Sequence, residues 1–219
     1  MSVTTPKVHP GVHHDTPEQK DRKERTAVWL FIGGDMVFVA LEIFTWFYLR
    51  GLNPNNGWRW VGSSAANPWT DMVGNTHTME VPKASVAWTI GVSLLTLLVG
   101  LIAWWAEGLA KGKAKRSVVS GALGLTFLAS LVAIGFQIAQ FQVLPFQTTW
   151  GTYASTFEFF MGSNLAHLII VAIVCLGLWN RARQGKYDDH WYQIRLGRHF
   201  MVWVGSAAVI LGAIAAFWA

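Results

Sequence analysis

Five long apolar runs, at residues 26–50, 84–107, 118–144, 152–179 and 196–218, alternate with shorter polar connections along this chain. Each run meets the roughly 20 mainly apolar residues a helix needs to cross about 30 Å of hydrocarbon. The pattern therefore predicts an all-α, polytopic membrane bundle of five transmembrane helices, occupying residues 26–219. The last four runs are rich in Leu, Ile, Val, Ala and Gly, with the glycine usage typical of spans. Apart from residues 51–83, the connections are short, which sets neighbouring helices antiparallel.

Two segments stand outside the runs. Residues 1–25 form a polar tail, expected to be extended up to about Thr16. The stretch "TPEQKDRKER" then reads as helix-competent, with Thr16 as cap and Pro17 at the first helical position. Its histidines, His9, His13 and His14, fit a solvated tail better than a metal site. The tail also lacks the apolar core of a cleavable signal, so the first run is expected to act as its own insertion signal. Residues 51–83 carry Asn-Pro, Asn-Asn-Gly and three tryptophans, Trp58, Trp60 and Trp69. They read as an irregular outer cap.

Composition agrees with the pattern: 53% of residues are hydrophobic and 13% charged, with 13 tryptophans, far from a soluble domain. The net charge of +5 matters less than its placement. Basic residues fill the tail (Lys7, Lys20, Arg22, Lys23, Arg25), the second connection (Lys111, Lys113, Lys115, Arg116) and the fourth (Arg181, Arg183, Lys186, Arg195, Arg198). The other side has Arg50, Arg59 and Lys83. By the positive-inside rule the N-terminus lies inside and the C-terminus outside. The basic residues then anchor loops beside a membrane, and nucleic acid is not an expected partner. Trp29, Trp104, Trp105, Trp179 and Trp191 should form an inner belt, and Trp46, Trp88, Trp150 and Trp218 an outer one.

Polar residues within the runs carry the candidate chemistry. Asp35 and Glu42 are seven residues apart, hence on one helix face. At 1.5 Å per residue Asp35 lies roughly 13 Å from the inner end and Glu42 roughly 12 Å from the outer end. Such carboxylates cost about 2.5–3.5 kcal/mol each at mid-bilayer, so they should face protein or water. The fourth run descends in the opposite sense, so depth pairs Asp35 with His167 and Glu42 with Glu158. Asn164 lies between them. Gly33 and Gly34 are expected to admit a close helix neighbour. In the third run Gln137, Gln140 and Gln142 suit interhelical glue, with Gln137 and Gln140 on one face.

Redox ligands are not apparent. His167 sits near mid-membrane and His199 near the inner surface, too far apart in depth to bracket one haem. The single cysteine, Cys175, lies deep in the fourth run and reads as a buried, inert thiol. Copper or zinc would need a ligand cluster that the pattern does not supply.

Four stretches together resemble subunit III of the haem–copper oxidases, in the five-helix form that lacks the first two helices of the seven-helix type. "VWLFIGGDMVFVALEIFTWFYLR" resembles the first shared helix, with Gly34-Asp35 standing where the family has Ser-Glu. "FLASLVAIGFQIAQF" resembles a helix carrying Q-x-x-E-Tyr; Gln137 matches and Gln140-Phe141 replaces Glu-Tyr. In "YASTFEFFMGSNLAHL", Tyr153, Ser155, Phe157, Gly162 and His167 fit the family pattern, while Asn164 takes the first His position and Ala166 the second Gly. "RHFMVWVG" keeps His199 and Phe200 of the last helix but not its Asp and final Trp. The resemblance runs from about Arg25 to the C-terminus and marks a divergent subgroup.

It implies a subunit with no redox cofactor of its own, beside a catalytic subunit I that holds haem and copper. In that family the subunit retains phospholipids and supports proton uptake during oxygen reduction, in a cell (inner) membrane. Asp35, Glu42, Glu158, Asn164 and His167 are then helix-pairing or proton candidates. His199, Trp104, Trp105, Arg181 and Arg198 are lipid or interface candidates. An accessory subunit of a nitric oxide reductase or quinol oxidase would share these features. A stand-alone proton-coupled transporter is the rival from another class, and an assembly factor a third; the absence of an internal repeat weighs against the transporter.

Overall fold

The computed structural model describes residues 16–53, 58, 68–78, 80–188 and 190–219. His9, His13, His14 and Trp60 lie outside the described residues. Five helices appear in chain order: α1 Pro17–Leu52, α2 Val86–Lys111, α3 Arg116–Gln142, α4 Thr152–Arg183 and α5 Tyr192–Phe217. All five are long and apolar enough to cross a membrane. The chain is a multi-pass, all-helical membrane protein.

The start of α1 follows its local chemistry. Thr16 accepts from the Gln19 backbone N–H at 3.3 Å while the Gln19 side chain accepts from Thr16 N–H at 3.0 Å, a reciprocal capping box with Pro17 at N1. The helix then runs unbroken for 36 residues, about 54 Å at 1.5 Å per residue. It exceeds the hydrocarbon thickness, so the Pro17–Arg25 portion stands beyond the apolar run. There Asp21 meets His190 at 3.0 Å and Glu24 accepts from Gln193 at 3.2 and 3.3 Å, tying α1 to the α4–α5 connection and to the first turn of α5.

Small residues set the centre of the bundle. α5 is the most buried helix and α1 the least. A Cβ added at Gly205 would stand 2.7 Å from Leu97 Cα, and one at Gly100 would stand 2.9 Å from Met201 O. With no hydrophobic drive between helices in lipid, such backbone proximity is what makes dispersion contacts add up. Around this α2–α5 seam, Ala103, Ala106, Ala122, Leu123, Leu168, Val171 and Met201 are buried, and Cys175 sits beside Met201 with sulfurs 3.7 Å apart.

α1 joins through one face only. Ile32, Val39, Glu42 and Trp46 are buried and Asp35 is partly so, a seven-residue stripe directed at α4 and α5. Gly33 and Gly34 fall beside that stripe, and nothing lies within 4 Å of a Cβ added at either. No helix among the described residues makes the close approach expected at these glycines. Trp46 is corrected too: it is fully buried rather than belted at the interface. Its Nε1 donates to Trp218 O at 3.3 Å, and Trp58, Tyr153 and Phe160 surround its ring.

The loop expected to be irregular contains a short antiparallel hairpin, β1 Trp69–Thr70 and β2 Thr76–His77, with Trp69 opposite His77. Asp71 organises its turn, accepting from Val73 N at 3.0 Å, Asn75 N at 2.8 Å, Asn75 Nδ2 at 3.1 Å and His77 Nε2 at 3.0 Å. The His77 contact first, then the Asn75 and Val73 donors, hold the Asp71 carboxyl well below the usual carboxylate range, against the opposing effect of burial. A depressed folded-state value contributes stability that is complete above the ordinary pKa of about 3.9 and is lost as pH falls below it. Protection of the Val73 and Asn75 amides, by hydrogen exchange relative to an unstructured chain, is expected to hold from pH 7 to about 4 and to collapse only below.

Candidate functional site

Three polar sites interrupt the apolar bundle. The first ties α1, α4 and α5 together near mid-helix. His167 Nε2 lies 2.7 Å from Asp35 Oδ1, and Trp203 Nε1 donates to Asp35 Oδ2 at 2.6 Å. His167 Nδ1 stands 2.9 Å from Ser163 O, one turn earlier on α4. Both ring nitrogens thus face oxygen atoms that can accept. The Asp35 and His167 side chains are each 12% exposed, so water competes little for these bonds. This is the pairing expected from depth.

Glu42 extends the same α1 face toward the hairpin end. It is 2% exposed and neither carboxylate oxygen has a hydrogen-bond partner within the described residues. Glu158 instead bonds the hydroxyl of Thr148, in the short 3-10 turn Thr148–Trp150 that leads into α4. The expected Glu42–Glu158 pair is not formed. The reason is angular: at about 100° per residue, nine residues place Glu158 on the opposite side of α4 from His167.

The second site is a chain of amides joining α2, α3 and α4. Asn164 Nδ2 donates to Gln137 Oε1 at 2.7 Å and lies 3.5 Å from Thr96 Oγ1. Gln137 Nε2 donates to Gln140 Oε1 at 3.1 Å, and Gln140 Nε2 to Thr89 Oγ1 at 3.2 Å. A cavity of about 30 Å³ opens beside it, lined by Thr89, Ser93, Gln137, Gln140 and Asn164 among others. That is room for a water with several polar partners. Gln142 is exposed and takes no part in this chain of bonds. Asn164→Leu strands the Gln137 carbonyl and is expected to cost about 1–2 kcal/mol, measured by unfolding in detergent.

The third site lies at the basic end. Glu107, in the last turn of α2, accepts from Arg195 Nε at 3.0 Å and from Arg198 Nε at 2.7 Å. Arg198 also stands over the Trp104 ring at 5.3 Å and Arg195 over Trp191 at 4.6 Å. His199 and Trp104 border the same cavity, so three of the interface candidates, Trp104, Arg198 and His199, come together. Trp105 is half-exposed outside that lining, and Arg181 bonds Gln193 instead. Glu107 escaped the sequence reading because a lone acid at the edge of a basic connection looks like a loop residue. The available signal was Arg195 and Arg198 three apart, one face of α5.

Comparison with known proteins finds similar chains. No family model matches the chain. It is 28% identical over 171 residues to cytochrome c oxidase subunit 3 of Prototheca wickerhamii, covering 75% of this chain and 57% of that protein. It is 31% identical over 111 residues to the probable cytochrome c oxidase subunit 3 of Rickettsia felis (strain ATCC VR-1525 / URRWXCal2), covering 51% of this chain and 39% of that protein. The chain is thus similar to cytochrome c oxidase subunit 3 over half to three quarters of its length. It spans less than two thirds of the length of these curated relatives. The five apolar helices agree with a subunit 3-like bundle.

Proposed function

We propose that this chain is a non-catalytic, subunit III-like component of a respiratory haem–copper oxidase in the cell membrane. It packs beside a catalytic subunit that carries the haems and copper, stabilises that subunit, holds phospholipid and supports proton uptake during oxygen reduction. The N-terminus and basic end face inside, the C-terminus outside.

The observation that carries this reading is how Asp35 is used. An ionisable residue at membrane depth is a functional-site candidate by default. Here the carboxylate is committed to His167 and Trp203, joining three helices of the same chain. Both of its oxygens and the facing ring nitrogen are engaged in a tie rather than presented to a ligand. Alongside this tie α1 leaves a broad apolar face uncovered, including Leu30, Val37, Leu41 and Phe44, with Gly33 and Gly34 open. A catalytic subunit's helix would fit against that face. For proton support, Asp35 and Glu42 offer two carboxylates on one face of α1, the face turned toward α4 and α5.

Affinity purification from native membranes tests the assignment. A haem spectrum migrating with this chain, together with a larger subunit that holds the haem, is the expected result. A colourless homo-oligomer would overturn it in favour of a transporter.

A further inference from the structure

Glu42 stands apart from the other enclosed acids. Asp35 is met by His167 and Trp203, Asp71 by His77 and its own turn, and Glu107 by two arginines. Neither oxygen of Glu42 has a hydrogen-bond partner among the described residues, although the residue is buried. Its place on α1 falls between two contacts with α4. On one side Asp35 meets His167, and on the other the rings of Trp46 and Phe160 stand 4.9 Å apart. Within that stretch of α4 the hydroxyl of Ser163 is buried and also without a partner. Ser163 lies one turn from His167, hence on nearly the same helix face. Asn164 beside it is turned to Gln137 and Thr96 instead. Two unpartnered polar side chains therefore share one enclosed part of the α1–α4 seam.

The ionisable groups that face this part of the seam are few. α1 presents Asp35 and α4 presents His167, and those two are bonded to each other. From Phe200 to Phe217 α5 has no ionisable side chain, and Glu158, on the far side of α4, is bonded to Thr148. An ionised carboxylate with no donor or cation beside it is far costlier to bury than the neutral acid, so such a group takes up a proton instead. We propose that Glu42 is held as the neutral carboxylic acid and is the proton-storing group of this bundle, with the Ser163 hydroxyl as acceptor for its O–H. Asp35 stays committed to His167 and Trp203. Release of the proton from Glu42 leaves a carboxylate facing one hydroxyl, so the proton is kept until a donor or cation is brought to it. The inference rests on the proton-support part of the proposed function only for the use of that proton; its presence on Glu42 is a property of the chain alone.

Infrared spectra of the purified full chain at neutral pH, compared between water and heavy water, test it. A protonated carboxyl has a C=O stretch separate from the carboxylate bands, and that stretch shifts when its proton is exchanged for deuterium. The band is expected in the unaltered chain, absent from Glu42→Gln and kept in Asp35→Asn. Ser163→Ala should move it to higher frequency without removing it, because the acid loses its acceptor. Glu42→Asp keeps an acid on a shorter stem and should shift the band, so the assignment does not hang on one variant folding. A band that survives Glu42→Gln would overturn the proposal. So would one that appears in the unaltered chain only below about pH 4, where carboxyls in water take up their protons. A rise in unfolding midpoint with added sodium that is lost in Glu42→Gln would also overturn it, giving the site to a metal cation. These readouts need neither haem nor a partner subunit, so the proposal and the oxidase assignment fail separately.

Discussion

Asp35→Leu is expected to detach α1 from the bundle, at a cost of about 3–5 kcal/mol, the range for removing one partner of a buried charged pair. The substitution takes away the acceptor for His167 Nε2 and for Trp203 Nε1 at once. Both donors then lose the oxygen they are bonded to, and water reaches the site poorly. Besides this tie α1 holds on through a single buried stripe, the Trp46–Trp218 bond and the Asp21 and Glu24 contacts near its start, and its glycines meet nothing. Asp35→Asn should be milder, about 1–2 kcal/mol, since an amide oxygen still accepts from Trp203 while the charge opposite His167 is gone. The double change Asp35→Leu, His167→Leu should recover part of the loss, because a buried pair replaced as a unit costs less than one partner removed. Unfolding in detergent gives these values, and native gels of the membrane complex show whether α1 stays engaged. The same variants separate grip from proton chemistry. Altered turnover in a fully assembled Asp35→Asn complex supports the proton role, and lost assembly supports the structural one.

The sequence carried the five helices plainly, because each run of some 20 apolar residues states its own length, and the Thr16 cap marked where α1 begins. It also carried the Asp35–His167 contact, since antiparallel helices place equal depths side by side. Depth is one coordinate of two, however. Glu158 matched Glu42 in depth and missed it in direction, and the nine-residue step from His167 was the angular information left unused. Trp46 shows the same gap: a tryptophan near a helix end suits the headgroup region, but its position on the buried stripe with Ile32, Val39 and Glu42 decides its place. Asn164 and Gln137 were visible as polar residues in spans, yet their junction needs three helices in register, which no single-helix pattern contains. Glu107 was hidden by its setting among lysines, where charge totals mask a specific pair.

Glycine provides the sharpest contrast between what a pattern and a packed bundle say, and it leads to the second large effect. Gly205→Leu is expected to force α2 and α5 apart and cost more than the roughly 1–3 kcal/mol typical of overpacking, because its neighbour is backbone. The Cβ alone would stand 2.7 Å from Leu97 Cα and 3.3 Å from Leu97 N, atoms that cannot swing away as a side-chain tip can. Gly205→Ala should therefore already be destabilising, within that 1–3 kcal/mol range, although alanine is the better helix former. Gly34→Ala has the opposite sign. Nothing lies within 4 Å of its added methyl in the isolated chain, so only the helix-propensity gain of about 0.5–1 kcal/mol remains. Unfolding of the purified chain followed by circular dichroism compares the two on one scale. Equal stability for Gly205→Ala and Gly34→Ala would mean that α2 and α5 are not in backbone contact. Within an assembled complex the comparison gains a further meaning: Gly34→Ala that is neutral alone but weakens subunit association would place the partner's helix on the open side of α1.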